Sequence, residues 1–193
     1  MSDIDARRIE AAVVELLTAI GEDPHRAELA DTPRRVAEAW AEFFSGVGVD
    51  ATGPLANPMP VEQAGDSSDV VVVSGLRFRS ICEHHLLPFL GTAGIAYLPG
   101  PLLAGLGDLA RVLEIVAARP QLQERLGDEV AVAIESALAA RGVLVILEAE
   151  HQCVTARGPR QPGSTAITVA ARGELADPAR RAEVFALLGR SES

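Results

Sequence analysis

Five of the six cysteine and histidine residues lie in two short clusters, Cys82-Glu83-His84-His85 and His151-Gln152-Cys153, and only His25 stands apart. Any fold this chain adopts has to account for that concentration of metal-capable side chains. Residues 143–153 read as a strand, on which His151 and Cys153, two residues apart, point to one face. The other cluster sits on the connection between a β-branched stretch at 69–80 and a second strand at 91–98, where Cys82 and His85 could converge on one point. Two thiolates and one imidazole form a sensible zinc donor set, with the fourth position left to water as in catalytic sites. Zinc lowers the pKa of such a water toward about 7 and supplies hydroxide at neutral pH. Taken singly, each cysteine reads as a small buried hydrophobe and each histidine as a satisfied core residue. Their grouping is what points to a metal. His84 and His151 exceed the need of three-ligand zinc and are candidates for proton transfer.

The rest of the pattern predicts an α+β chain. Ile9, Ala12, Val13, Leu16, Leu17 and Ile20 recur at helical spacing up to Gly21, a C-terminal cap. Asp31-Thr32-Pro33 opens a second helix, with Thr32 as cap, that runs to about Phe44. Residues 46–68 are rich in Gly, Pro, Asp and Ser and read as a surface loop. Helices at 107–118 and 121–140, broken at Pro120 and closed by Gly142, separate the first strand pair from a second at 143–153 and 164–172. A short helix follows at 177–189. The expected organisation is an N-terminal helical region (1–45), a loop (46–68) and a domain at 69–193, within one structural unit. That domain holds an antiparallel four-stranded sheet with helices on one face.

A net charge of -10, from 17 basic and 27 acidic residues, argues against nucleic acid or an anionic membrane as the main partner. No apolar run approaches the roughly 20 residues of a membrane span. The charged N-terminus has no signal-peptide core, and two cysteines suit a reducing cytoplasm. Every one of the 17 basic residues is arginine.

Four segments in order resemble one family: SICEHHLLPFLGTAGIAYLP (80–99), GLGDLAR (105–111), ARPQLQERL (118–126) and AEHQCVTARG (149–158). DTPRRVAEAW (31–40) and the Gly163 to Thr168 segment fit as well. Together they are similar to GTP cyclohydrolase I, the zinc enzyme that converts GTP to dihydroneopterin triphosphate. The resemblance implies a tunnelling fold (T-fold), with pentamers closing a β-barrel and stacking in pairs as a homodecamer. Active sites then lie between subunits. It also implies zinc on Cys82, His85 and Cys153, catalytic roles for His84 and His151, and a purine pocket using Gln123 and Glu124. A carboxylate such as Glu124 can accept both N1–H and the exocyclic amine of guanine. The imidazole ring would then open at C8, with protonation of N7 by a histidine and release of formate.

Arg35, Arg111 and Arg157 match phosphate-contacting positions of the family. The family's GLSKLAR reads here with Gly107 and Asp108 in place of the serine and lysine, and Glu38 replaces a second phosphate-facing lysine. Drift in a lysine-free chain should have given arginine, not acid. A like charge about 4 Å from a phosphate costs roughly 4 kcal/mol at an effective dielectric of 20, before screening. The expectation is therefore a divergent cyclohydrolase whose purine carries fewer phosphates than GTP. The alternatives are an ordinary GTP cyclohydrolase I of folate or pterin synthesis, and a non-catalytic zinc-containing oligomeric scaffold.

Overall fold

The computed structural model describes residues 4–64 and 70–188. The start of the predicted strand at Asp69, loop residues 65–68, the helix end at 189 and both chain ends lie outside the described residues. Helices α1 (Ala6–Ala19) and α2 (Thr32–Phe43) pack against each other at the N-terminal side. α1 stops as expected at Gly21, which has a φ of 86°. Gly21 N–H donates to Thr18 O and Glu22 N–H to Leu17 O, the paired bonds of a Schellman cap. The start of α2 differs from expectation. Thr32 is already helical, and Asp31 holds the cap position without a side-chain capping bond. Its carboxylate instead pairs with Arg35.

The strands and helices that follow are β1 (Met59–Pro60), β2 (Val71–Cys82), β3 (Pro88–Leu98), β4 (Leu102–Leu103), α3 (Leu106–Ala117), β5 (Pro120–Gln121) and α4 (Gln123–Leu138). After these come β6 (Gly142–His151), the one-turn α5 (Gln152–Thr155), β7 (Ala166–Gly173) and α6 (Pro178–Leu188). The main sheet has the order β5-β2-β3-β6-β7, antiparallel throughout except for β5 on β2. It thus has five strands where four were expected. Pro120 breaks the helical run, and the extended Pro120–Gln121 pairs with Ile81 and Cys82 at the sheet edge, where a residue without an N–H is tolerated. The stretch read as a surface loop contributes β1, which pairs with β4, and Leu55, which is buried in the core. α4 ends at Leu138 with Ala139 in the left-handed region, ahead of Gly142, which instead opens β6.

α3 and α4 cover one face of the sheet. They bury Leu109, Val112, Leu113, Val116, Leu126, Val130, Ile134 and Leu138 at helical spacing against Phe89, Ile95, Tyr97, Val143, Val145 and Leu147. Each large side chain buried this way is worth about 1.5–3 kcal/mol, so this layer is the main source of stability. Among the described residues, the opposite face carries a small cluster, Ala96 and Leu144 beneath Leu175 and Val184 of the C-terminal segment. Gly91 sits where β3 crosses β6 closely. A Cβ there would lie 1.9 Å from Glu148 O and 2.7 Å from Ala149 Cα.

Candidate metal centre and its surroundings

β2 delivers Cys82 to the end of the sheet, and the turn to β3 carries His84 and His85. Cys82 N–H donates to Leu87 O (2.9 Å), and Leu86 N–H donates to Cys82 O (2.8 Å). Leu86 has a φ of 52°, a conformation that costs a non-glycine residue about 1–2 kcal/mol. Neighbouring side chains hold that turn. Glu83 N–H donates to Gln121 O at 3.0 Å. Arg125 donates to the Glu83 carboxylate, to Pro120 O (3.0 Å) and to Gln121 Oε1 (2.9 Å). Gln121, 1% exposed, donates in turn to Val116 O and Glu129. Arg119 completes the network with bonds to Gly46 O (2.9 Å), Val49 O (2.7 Å) and Glu129 (3.0 Å).

β6 delivers the second cluster, but not in the expected way. The strand ends at His151, and Cys153 sits in α5, so a helical turn rather than strand alternation points its thiol inward. One donor atom from each of Cys82, His85 and Cys153 lies within 4.8 Å of the others. Cys82 is buried, Cys153 partly buried and His85 exposed, so the cluster opens to solvent on its imidazole side. Burial and the adjacent Cys82 push the Cys153 thiol up, while Arg157 nearby acts in the opposite direction. Two neighbouring thiols can both be thiolates only if a cation compensates them. Two sulfurs, one imidazole and an open side fit zinc in a site that keeps a free position.

His151 is fixed on two sides. Its ring stacks on Phe89 with centroids 4.6 Å apart and planes 3° from parallel. Its Nε2 lies 2.7 Å from Gln123 Oε1. Burial lowers its pKa, and the Glu124 carboxylate partly opposes that. Glu124 is exposed in the first turn of α4, where the helix N-terminus favours negative charge. Gln123, 2% exposed, faces inward. His84 is exposed and stands edge-on to His85, ring centroids 6.2 Å apart.

The expected phosphate-binding residues fall into two groups. Arg157 lies close enough to Cys153 to act on its thiol. Arg35 and Arg111 are held within their own helices, Arg35 by Asp31 (3.4 Å) and Arg111 by Asp108 (2.7 Å). Among the described residues, no hydrogen bond or ion pair joins either to the metal cluster. Glu38 likewise pairs with Arg34 at 2.7 Å. A Cβ at Gly107 would meet nothing within 4 Å, so that position is open.

Sequence reading missed Phe89 because it started the second strand at Gly91, three residues late. Pro88, a residue tolerated at the first position of a strand, was the available signal. It also missed the network of Glu83, Gln121 and Arg125, for which one sequence holds no signal, since its partners meet only in three dimensions.

An antiparallel sheet backed by two long helices, with a Cys–His–Cys donor set beside two further histidines, defines an α+β protein with a candidate zinc centre. Residues 9–189 match the family model of GTP cyclohydrolase I. The chain is 56% identical to GTP cyclohydrolase 1 of Leifsonia xyli, over 98% of each chain. It is 50% identical to that of Rhodopirellula baltica, over 100% of this chain and 82% of the other. With that of Halalkalibacterium halodurans it shares 46%, over 97% and 99%. The chain belongs to the GTP cyclohydrolase I family. Among solved structures, archaeosine synthase QueF-Like in the apo form matches 56% of this chain and 97% of its own at a TM-score of 0.47 and 17% identity. Among the described residues, no helix is long and apolar enough to cross a membrane.

Proposed function

We propose that this protein hydrolyses the imidazole ring of GTP at C8, releases formate and yields 7,8-dihydroneopterin triphosphate, as a cytoplasmic homo-oligomer. The convergence of Cys82, His85 and Cys153, with His84 and His151 beside them, is the observation that carries the reading. Identity of 56% across 98% of a GTP cyclohydrolase 1 supports GTP as the substrate. When bound, zinc supplies Lewis acidity and a water of lowered pKa. Glu124 accepts N1–H and the 2-amino group of guanine, which fixes the base. His84 and His151 move protons at N7 and at the opening ring. Arg157, close to the metal cluster, and Arg35 and Arg111 compensate the triphosphate. The exposed side of the cluster accords with a site completed by a neighbouring subunit, as in the decamer the family implies.

A second reading, a purine with fewer phosphates, rests on Asp108 and Glu38. Their ion pairs weaken the case for it. Each acid is matched by an arginine on its own helix, so the local charge is near zero rather than negative. What still favours it is that Asp108 occupies Arg111. Incubating zinc-loaded protein with GTP, GMP, guanosine and guanine, with formate and products quantified by mass spectrometry, separates the readings. Efficient conversion of GTP to a pterin triphosphate supports the first. Turnover confined to the less phosphorylated purines supports the second. Silence on all four with zinc bound removes both and leaves an oligomeric zinc scaffold.

A further inference from the structure

Gln123 spends every strong hydrogen-bonding group it has inside the protein. Its Nε2 donates to Leu147 O at 3.0 Å and to Ala166 O at 2.9 Å, one carbonyl from each of two neighbouring strands. Turning the amide over would set its oxygen against two carbonyl oxygens, so the orientation is fixed by its partners. The oxygen is then an acceptor, and it lies 2.7 Å from His151 Nε2. That nitrogen must therefore carry the hydrogen. A half-turn of the imidazole keeps it parallel to Phe89 but sets Cε1 in place of Nε2 against the Gln123 oxygen, so the stacking holds the plane and the hydrogen bond selects the orientation.

We infer that Gln123 is a positioning residue that holds His151 as its Nε2–H tautomer, leaving Nδ1 as the nitrogen that exchanges protons with the substrate. Gln123 accordingly makes no side-chain contact with the purine, and Glu124 alone of that pair reads the base. The strand carbonyls of Leu147 and Ala166 are the fixed frame. A side-chain amide is the one group that can give them two donors and still offer an acceptor to the ring. The catalytic part of this inference rests on the function proposed above; the tautomer does not.

The test uses the zinc-loaded oligomer labelled with 15N-histidine. The His151 signals are identified by their loss in His151→Ala. The wild-type spectrum should show a protonated, pyrrole-type Nε2 and a pyridine-type Nδ1, and Gln123→Met should give a mixture of tautomers. Gln123→Met should lower kcat about 10- to 100-fold, the usual cost of removing the partner that orients a functional histidine. KM should stay within about threefold, as expected when an interaction serves the reaction step rather than binding. In a His151→Ala background the same substitution should change kcat less than about twofold. A wild-type Nδ1–H tautomer, an unchanged tautomer in Gln123→Met, or a raised KM at constant kcat would each overturn the inference. If Gln123→Met does not assemble, the wild-type spectrum alone decides: a protonated, pyrrole-type Nδ1 with a pyridine-type Nε2 on His151 would overturn the inference. Absence of turnover on any purine would defeat the proposed function while the spectra still decide the tautomer.

Discussion

Replacing Asp108 by asparagine tests how the chain handles a triphosphate. Asp108 holds the Arg111 guanidinium at 2.7 Å, with the arginine side chain 69% exposed and the aspartate 28%. A phosphate approaching the free edge of that guanidinium would lie about 6 Å from the carboxylate, where unit charges repel by about 2.8 kcal/mol at an effective dielectric of 20. Solvent and salt at so exposed a pair leave about half of this, roughly 1.4 kcal/mol, or tenfold in affinity. Losing a first-turn acid and an exposed ion pair costs the fold no more than about 1–1.5 kcal/mol, so the variant should assemble. Asp108→Asn in a His84→Ala background, which blocks turnover, should bind GTP about tenfold more tightly by calorimetry, with guanosine unchanged. The gain should shrink as salt is raised. Equal shifts for GTP and guanosine, or none for either, would refute the electrostatic reasoning and remove Arg111 from the phosphate site.

Three further outcomes are expected. Cys153→Ser should lower zinc from one per chain, by metal analysis, with little change in circular dichroism; chelating the wild type should lower its Tm, and added zinc should restore it. Retention of one zinc at unchanged affinity in Cys153→Ser would exclude that ligand. Gly91→Ala should destabilise the chain by about 2 kcal/mol, a drop of roughly 4–8 °C in Tm, because the new Cβ meets backbone rather than a movable side chain. Tyr97, the one tyrosine, is fully buried and its phenol is pushed up by that burial, with the Ala104 N–H partly opposing. A pKa raised by folding means its contribution is complete below the unfolded value near 10 and is lost as pH rises through the folded one. Absorbance titration should therefore show phenolate only as the protein unfolds in alkali, and Tyr97→Phe should flatten the loss of Tm above about pH 10.

Much of this was legible in the chain alone. Both clusters, the order of the long helices and strands, and the helix end at Gly21 follow from residue type and spacing. The position of Cys153 did not, because a strand pattern carries no mark of the residue at which it curls into a turn of helix. β5 was hidden for a related reason. Two residues after a helix break take their conformation from the edge they meet, and that edge lies some forty residues upstream at Ile81 and Cys82. Asp108 and Glu38 were visible as unexpected charges, but their effect depends on Arg111 and Arg34 and on which rotamers bring each pair together. Gln123 was legible as a site residue, but its bonds to the Leu147 and Ala166 carbonyls were not, because they join residues 24 and 43 positions apart in the chain.

Arg119 reaches three separate acceptors with one side chain, and Arg125 reaches three through two of its nitrogens. A single ammonium at the end of a flexible stem has neither the spread nor the fixed fork to do the same. A chain without lysine gives up nothing at these two positions, whereas on its open helical surfaces the choice between the two cations is nearly free. Under mutational drift toward lysine, 119 and 125 would be among the last basic positions to change. The route by which the segment at Gly46 and Val49 steadies the turn bearing His84 and His85 would be inherited with them.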